Sequence, residues 1–164
     1  PYALSLDGAG ASGVSDAHTS NTISAMFDIS LKSDQTRTLP KSVLVVSNVF
    51  PPNFVGGAEL VAERDALELA QTGQEVFIFA GKLTADIAST GLVGVEERKG
   101  LTVFTVQIAP VGPAGNFYRK DVGEIFERIL ELTKPEIVHF HNLPLVGANL
   151  IPAAKHKGCR TVLT

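Results

Sequence analysis

Four short runs of this chain are apolar almost without interruption: Ser42 to Phe50 (SVLVVSNVF), Glu75 to Gly81 (EVFIFAG), Glu136 to Asn142 (EIVHFHN) and Cys159 to Thr164 (CRTVLT). Runs that do not alternate apolar with polar residues are what strands buried on both faces of a parallel sheet require. Helical stripes lie between them. Ala58, Val61, Ala62, Ala66, Leu69 and Ala70 recur at three- and four-residue spacing, with Gly73 where a C-terminal cap belongs. Val122, Ile125, Phe126, Ile129 and Leu130 repeat the pattern and stop before Pro135. A further helix is expected over roughly 147–157, with Pro152 in its first turn or kinking it and Gly158 capping it. Val93 to Ile108 carries two strand-like stretches broken at Lys99-Gly100, which predicts a hairpin or two short paired strands. Strands alternating with helices in this way predict an α/β fold, a Rossmann-like, doubly wound, mostly parallel sheet, over residues 41–164.

Residues 1–40 have a different texture, rich in Ser, Thr, Ala, Gly and Asp, with only short candidate strands near Ala3 to Leu6 and Ile23 to Leu31. They read as a linker or the edge of an upstream region. A start at Pro1 with one methionine, Met26, reads as a piece cut from a longer polypeptide. At 45% hydrophobic and 19% charged residues, the composition is that of a globular protein without a spanning helix. A formal net charge of -3 offers no basic stripe for a phosphate backbone, so nucleic acid is disfavoured as a partner. A lone cysteine, Cys159, and the absence of finger spacings fit a reducing, cytoplasmic setting; Cys159 itself reads as a small core residue.

Two glycine clusters compete for the role of a site. Gly8, Gly10 and Gly13 (GAGASG) match the dinucleotide pattern letter for letter, but the following VSDAHTSNT has no apolar stripe to make the required helix. A flexible loop is the better reading. Gly56 and Gly57, in NVFPPNFVGGAEL, follow a buried strand and open a helix at the carboxyl edge of the sheet, where open α/β folds bind ligands. Their missing Cβ atoms let backbone N–H groups approach phosphate or sugar oxygens; equally, they permit a tight strand-to-helix turn. Glu59 falls in the first helical turn, where the dipole favours a carboxylate and capping explains it.

His139 and His141 share one face of the third buried run, with His141 and Asn142 at its carboxyl end. Such a pair can bind metal, but no third ligand stands nearby in sequence, and no metal or other cofactor is expected. His141 is either a satisfied structural histidine or a group aimed at a ligand over the sheet edge, and its place beside Gly56 and Gly57 favours the second. His139 reads as structural, and nothing is assigned to His18 or His156.

Taken together, residues 41–81 and 134–164 resemble the N-terminal domain of the retaining glycosyltransferases of family 4, which have the two-domain GT-B fold. The resemblance rests on Pro51 and Pro52, Gly56, Gly57 and Glu59, Leu69 and Gly73, Glu75 to Ile78, Lys134 to His141, and Thr164, in order. It implies the acceptor-side half of an enzyme that moves a sugar from a nucleotide-sugar donor with retention of configuration. By that resemblance Gly56 and Gly57 bind the donor phosphates and His141 acts at the reacting sugar. Asn48, Phe50, Phe54, Glu59, Asn116 and Arg119 become candidates for the acceptor side. The nucleotide would be gripped mainly by a second domain, so residues 1–164 alone are expected to be inactive. Glu136 departs from the family's usual Asp, with the same charge. The acceptor is not specified, and a lipid acceptor would bring peripheral membrane association. Two other classes stay open: a non-catalytic Rossmann-like interaction module, and an NAD-dependent oxidoreductase built on the Gly8 cluster.

Overall fold

The computed structural model describes residues 39–53, 56–112, 115 and 117–164. The candidate strands before Leu39, the Gly8 cluster, His18, Phe54 and Asn116 lie outside the described residues. Six strands form one sheet: β1 (Ser42–Ser47), β2 (Glu75–Leu83), β3 (Val93–Arg98), β4 (Leu101–Ile108), β5 (Ile137–Phe140) and β6 (Arg160–Leu163), in the spatial order β3-β4-β2-β1-β5-β6. Every neighbouring pair is parallel except β3 with β4. That pair is the expected hairpin. Lys99 at φ 52° and Gly100 at φ 79° turn the chain between Arg98 and Leu101, both central residues having the positive φ that a type I′ turn demands.

Three helices cover the faces: α1 (Gly57–Gln71), α2 (Lys120–Thr133) and α3 (Leu150–His156). The side-chain period of two assigns alternate strand residues to opposite cores. Val43, Val45, Ile78, Ala80, Leu101 and Val103 pack with Ala62 and Ala66 of α1. Leu44, Val46, Phe79, Phe104, Val106 and Phe140 pack with Phe126, Leu130 and Leu150 of α2 and α3, and the ring of Phe79 meets that of Phe126 at 5.2 Å and 64°. The sheet is therefore doubly wound, as expected. Among the described residues no helix is long and apolar enough to cross a membrane.

The helix ends follow from particular residues. Gly73 (φ 84°) and Gly158 (φ 82°) take left-handed conformations just past the C-caps of α1 and α3, and Lys134 (φ 44°) does so at the end of α2. The last helix is shorter than its sequence predicts, beginning at Leu150 rather than near residue 147. Gly147 stands at φ 101°, and the side chain of Asn149 is engaged with the loop before α2: Oδ1 accepts from Arg119 N–H at 2.9 Å and Nδ2 donates to the Arg119 carbonyl at 3.1 Å. An asparagine so engaged competes with helical pairing, and the helix starts after it. Pro152 then falls in the first turn, where its missing N–H costs nothing.

Candidate functional site

From β1 the chain crosses to β2 on one side of the sheet, and the later β5 returns to β1's other side. The strand order reverses between β1 and β5. A crevice opens outside the carboxyl ends of strands at such a point, and it is where open α/β sheets take ligands. A cleft of about 370 Å³ occurs there, lined by Asn48 and Val49 after β1, by Gly56 to Glu59 at the start of α1, and by Asn142, Pro144 and Leu145 after β5.

Gly56 and Gly57 have room to spare. Gly56 is extended (φ -162°, ψ -161°), a conformation open to any residue. Among the described residues, a Cβ built on Gly57 would meet nothing within 4 Å, and one on Gly56 only Glu59 Oε2 at 3.9 Å. Neither glycine is needed by the turn itself. Gly81 is the opposite case: a Cβ there would stand 2.7 Å from the Asn48 carbonyl oxygen, to which Gly81 N–H donates at 2.8 Å.

Glu59, 2% exposed, accepts from Gly56 N–H through Oε2 at 2.9 Å, which fixes the entry into α1 while its residue lines the cleft. The first-turn amides of α1 receive no side-chain cap. Asn48 lines the cleft too, its Oδ1 accepting from Leu145 N–H at 2.7 Å and so tying the β1 exit to the β5 exit. Arg119 is elsewhere, 4% exposed, donating from Nε and Nη2 to Asp121 and from Nη1 to the Ala109 carbonyl. This ion pair holds the Asp121 carboxyl below its ordinary value, the hydrogen bond from Arg119 being the largest cause. Phe50 is buried in the core on the α1 face.

His141 does not line the cleft, although its neighbour Asn142 does. Its ring, 3% exposed, lies on the α1 face beside that of His139, with centroids 4.1 Å apart, and its Nε2 is 3.9 Å from Asp65 Oδ2 of α1. That distance is beyond hydrogen bonding, and His141 Nε2 is buried without a partner among the described residues. An orphaned polar atom of this kind costs on the order of 1–3 kcal/mol. His139 has Thr164 Oγ1 at 2.7 Å from Nε2. Burial pushes both imidazoles below their ordinary value; for His141 the neighbouring His139 adds to this, and for both the Asp65 carboxylate opposes it. One ligand atom each from Asp65, His139 and His141 lies within 4.8 Å of the others. Sequence reasoning missed Asp65. The signal was present, since residue 65 falls on the apolar stripe of α1, four past Val61 and four before Leu69.

No protein-family model matches the chain, and no curated protein matches it. Among solved structures it is similar to trehalose-6-phosphate from E. coli bound with UDP-2-fluoro glucose, at 14% identity over 74% of this chain and 32% of that one, TM-score 0.46. It is similar to the catalytic domain of starch synthase IV from Arabidopsis thaliana bound to ADP and acarbose, at 16% identity over 77% and 34%, TM-score 0.47. A protein from the universal stress protein family from Burkholderia pseudomallei shows 14% identity over 76% and 95%, TM-score 0.41. The chain spans about a third of the length of the first two, 32% and 34%. None of these likenesses carries a substrate or an activity to this chain.

Proposed function

We propose that this chain is the N-terminal, acceptor-side half of a retaining GT-B glycosyltransferase of family 4, and that the cleft at the β1–β5 reversal receives the diphosphate of a nucleotide-sugar donor. The observation that carries the reading is the space at Gly56 and Gly57 that no described residue fills. Two adjacent glycines that the backbone does not require border a cleft at the start of a 15-residue helix. At these two positions no side chain of their own stands between a ligand and the backbone amides at the helix start. As the glycosidic bond to the donor breaks, negative charge grows on the leaving diphosphate, and amides fixed at a helix N-terminus stabilise that charge without reorganising. Across the cleft, Asn48 has its Oδ1 held by Leu145 N–H, and its amide nitrogen is the group proposed to meet the sugar or the acceptor. A catalytic part for His141 rests on the resemblance alone, since its ring is packed against Asp65 and His139. The acceptor-side role of Arg119 likewise rests on it, the guanidinium being occupied by Asp121 and Ala109.

In the family the nucleotide is held mainly by the second domain, so residues 1–164 alone are expected to bind weakly and turn nothing over. Weak binding suits nuclear magnetic resonance. Inorganic pyrophosphate, the moiety common to these donors, is expected at millimolar concentration to shift the amide resonances of Gly57, Ala58 and Glu59. Amides that stay in place, or shifts confined to another part of the surface, would overturn the assignment of the cleft. Turnover of a nucleotide sugar by the isolated chain would overturn its proposed inactivity.

A further inference from the structure

We infer that Asp65, His139 and His141 form a binding site for a divalent transition ion of the zinc class, with two imidazoles and a carboxylate as ligands and a further position left for solvent or substrate. The site uses none of the residues that line the glycine cleft and does not depend on the reading given to that cleft.

The donor set selects the ion. Two nitrogens and one oxygen suit zinc and its first-row neighbours, whereas calcium and magnesium take oxygen ligands. Position supports it independently. Among the described residues His141 Nε2 is a buried nitrogen with no hydrogen-bond partner, and the Asp65 Oδ2 carboxylate oxygen is 3.9 Å away. Ligand atoms around a tetrahedral zinc with bonds of about 2.1 Å stand about 3.4 Å from one another, so small side-chain rotations would close the set, whose atoms all lie within 4.8 Å.

Outer partners are in place as well. Arg64 Nη2 donates to Asp65 Oδ1 at 3.2 Å, which leaves Oδ2 turned to the histidines, and Thr164 Oγ1 orients the ring of His139. A recess of about 420 Å³, lined by Leu39, Asp65, Leu69, Gln74 and His139, provides the way in; Gln74, whose Oε1 also lacks a partner among the described residues, borders it.

The test is a titration of the whole 164-residue chain with Zn²⁺ after dialysis against a chelator, followed by calorimetry, with Co²⁺ as a second probe whose absorption reports the coordination number. One equivalent is expected to bind and to raise the melting temperature, and Mg²⁺ is not expected to compete. Asp65→Asn, His139→Ala and His141→Ala should each weaken binding by more than the roughly 10–100-fold that loss of an outer partner costs. His156→Ala should leave it unchanged. Absence of one-to-one binding by the parent, parental affinity retained in any of the three variants, or loss in the His156 variant would overturn the site. Should His141→Ala fail to fold by circular dichroism, Asp65→Asn and His139→Ala, at half-buried positions, decide the matter.

Discussion

Replacing Gly57 by alanine asks the structure a question with opposite answers on its two readings. Gly57 is the first residue of α1, and a Cβ there meets nothing within 4 Å. A side chain at this position therefore meets no clash, and it removes freedom that glycine enjoys only in the unfolded chain. Gly→Ala at a compatible backbone position stabilises by about 0.4–1 kcal/mol. For a domain of this size that raises the melting temperature by roughly 1–4 °C. The added methyl projects into the space from which the first-turn amides would meet a diphosphate, so the pyrophosphate-induced amide shifts should shrink in the same protein. Urea unfolding analysed by linear extrapolation measures the first quantity, and the resonance titration measures the second. Stability up with binding down is the expected pair. A variant less stable than the parent by about 1 kcal/mol or more would show that the fold itself needs this glycine. The reason for giving the open space to a ligand would then be gone.

Gly81→Ala should do the reverse, because its Cβ would lie 2.7 Å from a backbone oxygen that cannot move aside, and a loss of roughly 1–3 kcal/mol in urea unfolding is expected. Asn48→Ala removes the acceptor of Leu145 N–H and should cost about 1–3 kcal/mol while freeing the β5 exit loop, visible as faster amide exchange at Leu145. Asp121 has its folded value lowered by Arg119, so the unfolded chain binds more protons as the acid range is entered. That contribution is present above the ordinary value of 3.8 and is lost as the pH falls through it toward the folded value. Asp121→Asn should flatten the fall of melting temperature below about pH 4, and an unchanged acid limb would refute the coupling.

The strands and helices were legible because burial on both faces leaves an unbroken apolar run, as in β1, and because the stripes of α1 and α2 state which face is inward. The start of α3 was not legible. It is set by Asn149, whose partner Arg119 lies 30 positions away, a distance no local pattern reports. Arg119 and Asp65 show the same limit from two sides. A charged residue in a Pro/Gly-rich neighbourhood reads as solvent-facing and ready for a ligand, yet Arg119 is spent within the fold on Asp121 and Ala109. A charged residue in a helix reads as surface, yet Asp65 lies on the apolar stripe and meets two histidines from a distant strand. For Gly56 and Gly57 sequence could not separate a tight turn from an open approach, because both use the same freedom; the extended φ of Gly56 and the space left by the described residues are what the proposal of a ligand approach rests on.

The sheet order also dictates how the chain must assemble in time. Among the described strands only β3 and β4 are joined by a two-residue turn, and such a hairpin forms in about 1–10 microseconds. β1 is in a different situation, fully buried, with both edges taken by strands that come later in the chain. Its second edge is closed only when β5 docks, joining Ser42 to Glu136 across 94 positions. Until then the most apolar strand of the sheet has an open edge, a template for other chains as much as for its own. Folding of this protein is thus expected to be slow and sensitive to concentration, with the arrival of β5 as the step that ends the danger.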